Sequence, residues 1–168
     1  RGLGDAYKRQ LFRRADEVWE PFPLGPGSAA AIPVLSVDGE QNVWVGTQND
    51  GLWQCHGTTC SAVAELRGRE VRAILQDRLK ALCVASDAGL YRRDKGRWDA
   101  PLAAAVLPPC PLNRLFEDDQ GSLWIGTENQ GLLRFSATRF THFHPAHHLP
   151  DVAIKAQLVR ADSTLWLG

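Results

Sequence analysis

Three groups of side chains in this 168-residue chain are of types that do chemistry. Glu117, Asp118 and Asp119 stand side by side, and paired carboxylates are what glycoside hydrolysis uses as acid and nucleophile. No other three carboxylates stand together in the chain. An aspartate shortly before a glycine, here Gly121, also makes a turn, because the carboxylate caps its own backbone and glycine supplies the bend. The second group is "THFHPAHH", with His142, His144, His147 and His148. On a strand His142 and His144 project from one face and could share a metal. With no carboxylate or cysteine ligand nearby, the segment reads instead as a solvated outer strand and loop, and no metal site is assigned. The third group is Cys55 and Cys60, which flank "HGTT". As zinc ligands they would have only His56 beside them. No glycine-rich phosphate loop, nucleophile elbow or HExxH motif is present. No catalytic residue and no cofactor are assigned, and the ligand-binding residues are left unknown.

The elements that position these groups follow from a repeat. "VWVGT" at 43–47, "LCVAS" at 82–86, "LWIGT" at 123–127 and "LWLG" at 165–168 are one strand in four versions. Their central residues, Trp44, Cys83, Trp124 and Trp166, lie 39, 41 and 42 residues apart. Gly-Leu follows in the same register at Gly51, Gly89 and Gly131, with Gln10-Leu11 as a degenerate earlier copy. Eight residues past those leucines come Trp19, Cys60, Trp98 and Phe140, and six before each central residue come Asp38, Asp77, Asp118 and Arg160. A period near 40 residues is the signature of a repeat architecture.

One period, "LNRLFEDDQGSLWIGTENQGLLRF" with "FTHF" after it, reads as four short antiparallel strands joined by turns. Asn49-Asp50-Gly51 and Asp87-Ala88-Gly89 place glycine where a tight hairpin needs positive φ. The second strand is apolar on both faces, so both faces must be covered. Four strands per period of this length make a β-propeller blade. The chain is therefore all-β, a propeller segment with three complete blades at 34–65, 71–99 and 112–143 and half-blades at 10–22 and 153–168. It is expected to be an open arc cut from a larger propeller, since both ends fall mid-blade and repeat arrays protect their terminal faces. Residues 1–9 stand outside the register and are expected to be a non-native or unstructured leader.

With strands placed, Cys55 and Cys60 end strand three and begin strand four. The four-residue loop sets them facing across the ladder, within the reach of a disulfide, which suits an oxidising compartment. Trp44, Trp124 and Trp166 read as blade core. Trp53 and Trp98, on outer strands, have faces that could stack on sugar rings, although packing is the plainer account. Cys83, in place of a core tryptophan, is expected to be a buried free thiol.

Bulk composition narrows the function. Nineteen basic residues balance nineteen acidic ones, so no electrostatic footprint argues for nucleic acid or an anionic membrane. With 44% hydrophobic and 23% charged residues the chain is of globular type.

Phe116 to Phe135 closely resemble the two-component regulator propeller repeat, whose pattern is an aspartate, a glycine, a W-[IV]-G-T strand and then Gly-Leu with an aromatic. The copy at 34–55 keeps Asp38, Trp44, Gly46, Thr47, Gly51 and Leu52 but carries Gln41 in place of the turn glycine. The copy at 71–93 departs further, with Lys80, Cys83 and Ala85 at the turn glycine, tryptophan and strand glycine. The resemblance implies a periplasmic, non-enzymatic sensor module of a membrane-bound signalling protein. Its implied partners are a small-molecule or oligosaccharide signal, the rest of its own propeller, and a membrane-anchored histidine kinase or diguanylate cyclase. A protein-interaction scaffold, or a fragment of a propeller enzyme such as a lyase or glycosidase, is the alternative.

Overall fold

Short apolar runs broken by turn-forming pairs such as Asp50-Gly51 fold into hairpins, and the computed structural model holds sixteen strands among its described residues. Those residues are 11–25, 30–99, 110–136, 139–144, 149, 153–159 and 164–168. Residues 1–9, with the expected leader, lie outside them, as do Gln10, His147, His148 and Arg160. The chain divides into two compact units that meet between Val71 and Arg72.

In the first unit β1 (Leu11–Ala15) and β2 (Val18–Phe22) form a two-stranded antiparallel hairpin. Next comes a four-stranded antiparallel sheet of β3 (Val34–Val37), β4 (Val43–Gly46), β5 (Leu52–His56) and β6 (Thr59–Ala62), neighbours in sequence being neighbours in space. A 3-10 turn, Ala64–Leu66, buries Leu66 and returns the chain towards Val71, whose amide donates to the Thr47 carbonyl at 2.9 Å. The sequence gives no signal for that turn. Leu24, Val45 and Cys55 form a core to which Phe22, Ile32, Trp53 and Cys60 add partly buried surface.

In the second unit β7 (Val71–Gln76), β8 (Leu82–Ser86), β9 (Gly89–Asp94) and β10 (Arg97–Asp99) make one four-stranded sheet. A second comprises β11 (Leu112–Glu117), β12 (Leu123–Thr127), β13 (Leu132–Ser136) and β14 (Arg139–Phe143), and β15 (Gln157–Val159) pairs with β16 (Leu165–Leu167). Ala73, Cys83, Ala85 and Leu90 of the first sheet share one core with Leu112, Leu123, Ile125 and Leu133 of the second.

The turn joining the first two strands is the same in all three four-stranded sheets. The amide of Gln41, Lys80 or Gly121 donates to the carbonyl of Asp38, Asp77 or Asp118 at 3.0, 2.8 and 2.9 Å. All three donors have left-handed backbone, with φ of 65°, 66° and 78°. Side chains at Gln41 and Lys80 thus sit where only glycine is unstrained. Gln41→Gly and Lys80→Gly are each expected to add roughly 0.5–1 kcal/mol of stability, the relief of strain less the extra flexibility of glycine when unfolded. Urea unfolding of the two variants measures this, and a loss of stability in both would refute the strain account.

Trp166 departs from its repeat partners. Trp44 is 1% exposed and Trp124 is half-buried, yet Trp166 is 58% exposed, because β16 pairs only with β15 among the described residues.

Candidate functional site

Each turn aspartate is the hub of a small hydrogen-bonded clasp. The Asp38 carboxylate accepts from the amides of Glu40 and Asn42, each at 2.9 Å, from the Asn42 side chain, and from the indole Nε1 of Trp44 at 2.8 Å. Asp118 does the same with the amides of Gln120 and Ser122 and with Trp124 Nε1 at 2.8 Å. Arg134, opposite Trp124 in the ladder, carries its guanidinium 5.3 Å from that indole's centre. The recurring six-residue offset between aspartate and tryptophan is thus the span of a hydrogen bond.

Burial opposes ionisation of both carboxyls, but the donors outweigh it. Asn42 and Trp44 lead for Asp38, and Trp124, the turn amides and Arg134 act on Asp118, so both stand below the ordinary carboxylate range. A folded-state value below the unfolded one gives stability that is present above the unfolded pKa of about 3.9 and lost as pH falls through the folded value. Urea midpoints should hold from pH 6 to about 4 and drop below that. In Asp38→Asn the drop should be shallower, and an unchanged acid limb in that variant would refute the assignment.

The middle copy differs, because Cys83 replaces the tryptophan. Asp77 still binds the Ala81 amide at 2.7 Å, but its second oxygen accepts from Arg92, opposite Cys83 in the ladder, at 3.0 Å. A guanidinium on β9 therefore stands in for an indole on β8. The indole's volume is not replaced. Between the two four-stranded sheets of the second unit lies a cleft of about 410 Å³, lined by Cys83, Leu90, Leu123 and Phe135, with Asp77, Arg92, Arg78 and Glu117 at its rim. The Cys83 thiol is buried and free, and burial, with the charge of Asp77 beside it, pushes it up to about 12. It is a neutral, apolar floor.

Arg78 ties one turn to the next across this cleft. Its guanidinium donates to the carbonyls of Asp118 and Asp119 at 2.5 and 2.7 Å and pairs with Glu117 at 3.2 Å, while its amide donates to Glu117 at 2.8 Å. Of the three adjacent carboxylates singled out in the sequence, Glu117 and Asp118 are thus taken up in structural contacts, and Asp119 joins through its backbone carbonyl.

Cys55 and Cys60 face each other on β5 and β6 and are joined as a disulfide. His142 and His144 have ring centres 5.1 Å apart, with His142 Nε2 at hydrogen-bond distance from the Gln130 carbonyl. Among the described residues no three histidine, cysteine or carboxylate side chains gather as a metal site. Trp53 is partly buried against the core of the first unit, and Trp98 is half-buried on edge strand β10.

Residues 107–129 match the family described as two component regulator propeller. Over that stretch the chain is similar to a two component regulator propeller repeat. That repeat ends on the Thr127 to Gln130 turn, whose geometry Thr47 and Asp50 reproduce in the first unit. No curated protein matches the chain. Among solved structures, the extracellular domain of BT4673 of B. thetaiotaomicron, assigned as a one component system, superposes with a TM-score of 0.77 at 19% identity, over 96% of this chain and 24% of that one. The extracellular domain of BT3049 from the same organism, assigned as a hybrid two component system, gives 0.70 at 14% identity, over 88% and 20%. Virginiamycin B lyase from Staphylococcus aureus gives 0.71 at 15%, over 96% and 57%. At these identities the likeness is one of fold, and the repeat's four-stranded sheets are β-propeller blades. The chain spans a fifth to a quarter of the length of the two extracellular domains.

Proposed function

We propose that this chain is part of the extracytoplasmic sensor propeller of a bacterial membrane-bound signalling protein. It lies in the periplasm and receives or relays a small-molecule or oligosaccharide signal to a membrane-anchored histidine kinase or diguanylate cyclase. The observation that carries the reading is the regulator propeller repeat at 107–129, set in blades that superpose on extracellular domains of two assigned signalling systems. The Cys55–Cys60 disulfide supports an oxidising compartment. Arg78 holds Glu117 and Trp124 holds Asp118, which accounts for both carboxylates as turn and clasp residues, in keeping with a sensor rather than a glycosidase.

Reading the genomic sequence on either side of this stretch tests the proposal. Further W-x-G-T repeats, an apolar helix of about 20 residues and a kinase or cyclase are expected. A locus encoding a short secreted protein without an output domain would overturn it.

A further inference from the structure

We propose that the cleft over Cys83 is a binding site for a neutral, flat aromatic molecule with an N–H or O–H donor on its edge, of which indole is the simplest. The inference adds a ligand class to the sensor reading without resting on it, because the cleft lies wholly within the second unit.

The occupant is specified by the other copies of the repeat. At the position of Cys83 the two flanking copies carry Trp44 and Trp124, and each indole donates its Nε1 hydrogen to the turn aspartate at 2.8 Å. In the middle copy the aspartate remains as Asp77 and the indole is missing, and the cleft lined by Cys83 lies where that ring belongs. The cation that addresses the ring also remains. Arg134 lies across the ladder from Trp124 and over its face, and Arg92 holds the same ladder position opposite Cys83. A ring entering the cleft therefore meets an acceptor for its edge and a guanidinium for its face before any contact particular to the ligand is counted.

The rest of the lining agrees. Leu90, Leu123 and Phe135 supply apolar and aromatic walls, and the neutral thiol of Cys83 closes the floor. The four rim charges compensate one another, Asp77 with Arg92 and Glu117 with Arg78, so a charged ligand would find no unpaired counter-charge. In the third copy Asp118 Oδ2 holds Trp124 at 2.8 Å with Arg134 3.9 Å away, so a ring donor reaching Asp77 would share Oδ2 with Arg92, now at 3.0 Å, or move that guanidinium back to the distance Arg134 keeps. A volume near 410 Å³ is in the range of small-molecule sites and admits two fused rings.

Titration calorimetry of the 168-residue chain with indole, beside the Cys83→Trp variant, is the test. Saturable binding of indole by the unsubstituted chain is expected, weakened at least tenfold in the variant, whose own indole fills the cleft. Benzothiophene, which has the same shape without the N–H, is expected to bind about tenfold more weakly than indole, the loss of one hydrogen bond to a charged group. No binding of indole at millimolar concentration, or equal binding by the variant, would overturn the proposal, and equal binding of benzothiophene would overturn the donor edge. If the variant does not fold, a crystal of the unsubstituted chain soaked in 5-bromoindole decides the matter. A bromine anomalous peak between Cys83 and Phe135 upholds the site, and a peak elsewhere or none refutes it.

Discussion

Trp44→Ala is expected to remove about 3–5 kcal/mol of stability, while Trp166→Ala, at the same place in the repeat, changes it by less than about 0.5 kcal/mol. The two residues are equivalent in sequence register but not in surroundings, being 1% and 58% exposed. At Trp44 the loss has two parts. The buried indole leaves a cavity, and the buried Asp38 carboxylate loses one of its two side-chain donors, the Asn42 amide being the other. Trp44→Phe separates them, since it keeps most of the apolar volume and should cost only about 1–3 kcal/mol, the share of the one hydrogen bond lost to a charged group. Urea unfolding of the three variants gives the comparison. Equal losses at Trp44 and Trp166 would show that the repeat position itself, and not its burial, sets the energy.

Gly126→Ala is expected to destabilise the chain by about 1–3 kcal/mol, and adding Ile154→Leu should recover about 1 kcal/mol of that. A methyl group built on Gly126 would stand 2.7 Å from Ile154 Cγ2 and 3.0 Å from its Cβ, distances that packed carbons do not reach. The segment carrying Ile154 is held there by a bond from its amide to the Thr127 carbonyl at 3.0 Å, so it cannot simply withdraw. Gly46 faces Val71 in the same way, at 2.6 Å from Cγ1. In the middle copy the position is Ala85, which shares its core with Leu112. Both glycines thus face a residue branched at Cβ, and in each the branch methyl is nearer than Cβ itself. Ile154→Leu removes that Cγ2 branch, which is the basis of the predicted rescue. A double variant no more stable than Gly126→Ala would show that the backbone of residue 154, not its side-chain branch, makes the clash.

The recurrence of W-x-G-T and Gly-Leu made the second and third strands legible, because both signals come from local needs, a strand covered on two faces and a hairpin requiring positive φ. The turns of Gln41 and Lys80 were visible as departures from glycine, though not that both would keep the glycine conformation. The clasp was only half legible. Aspartate at six residues before tryptophan could be counted, but its meaning as a hydrogen bond needed the register of the turn. Arg92 as the substitute donor could not be read at all, since it reaches Asp77 across a ladder from fifteen residues away. Arg78 is further removed, contacting a turn some 40 residues on. The cleft was signalled by one letter, cysteine where tryptophan recurs, but its walls belong to two sheets and its volume to neither alone. Trp166 shows the converse, for residue type announced a core position that depends on what lies beside it.

Arg92 bonding Asp77 bears on how such a chain can change over generations. In a structure made of one unit copied many times, the loss of a large core side chain would ordinarily strand its buried polar partner and be removed by selection. Here the partner is already within reach of a second donor on the adjoining strand, so the loss is survivable. Arg134 holds that ladder place opposite Trp124 in the third copy, whereas Gln54 stands opposite Trp44 in the first, so the copies are not equally placed to shed an indole. Duplication thereby leaves one such position, at Cys83, where a hollow can open while the other copies keep their indoles.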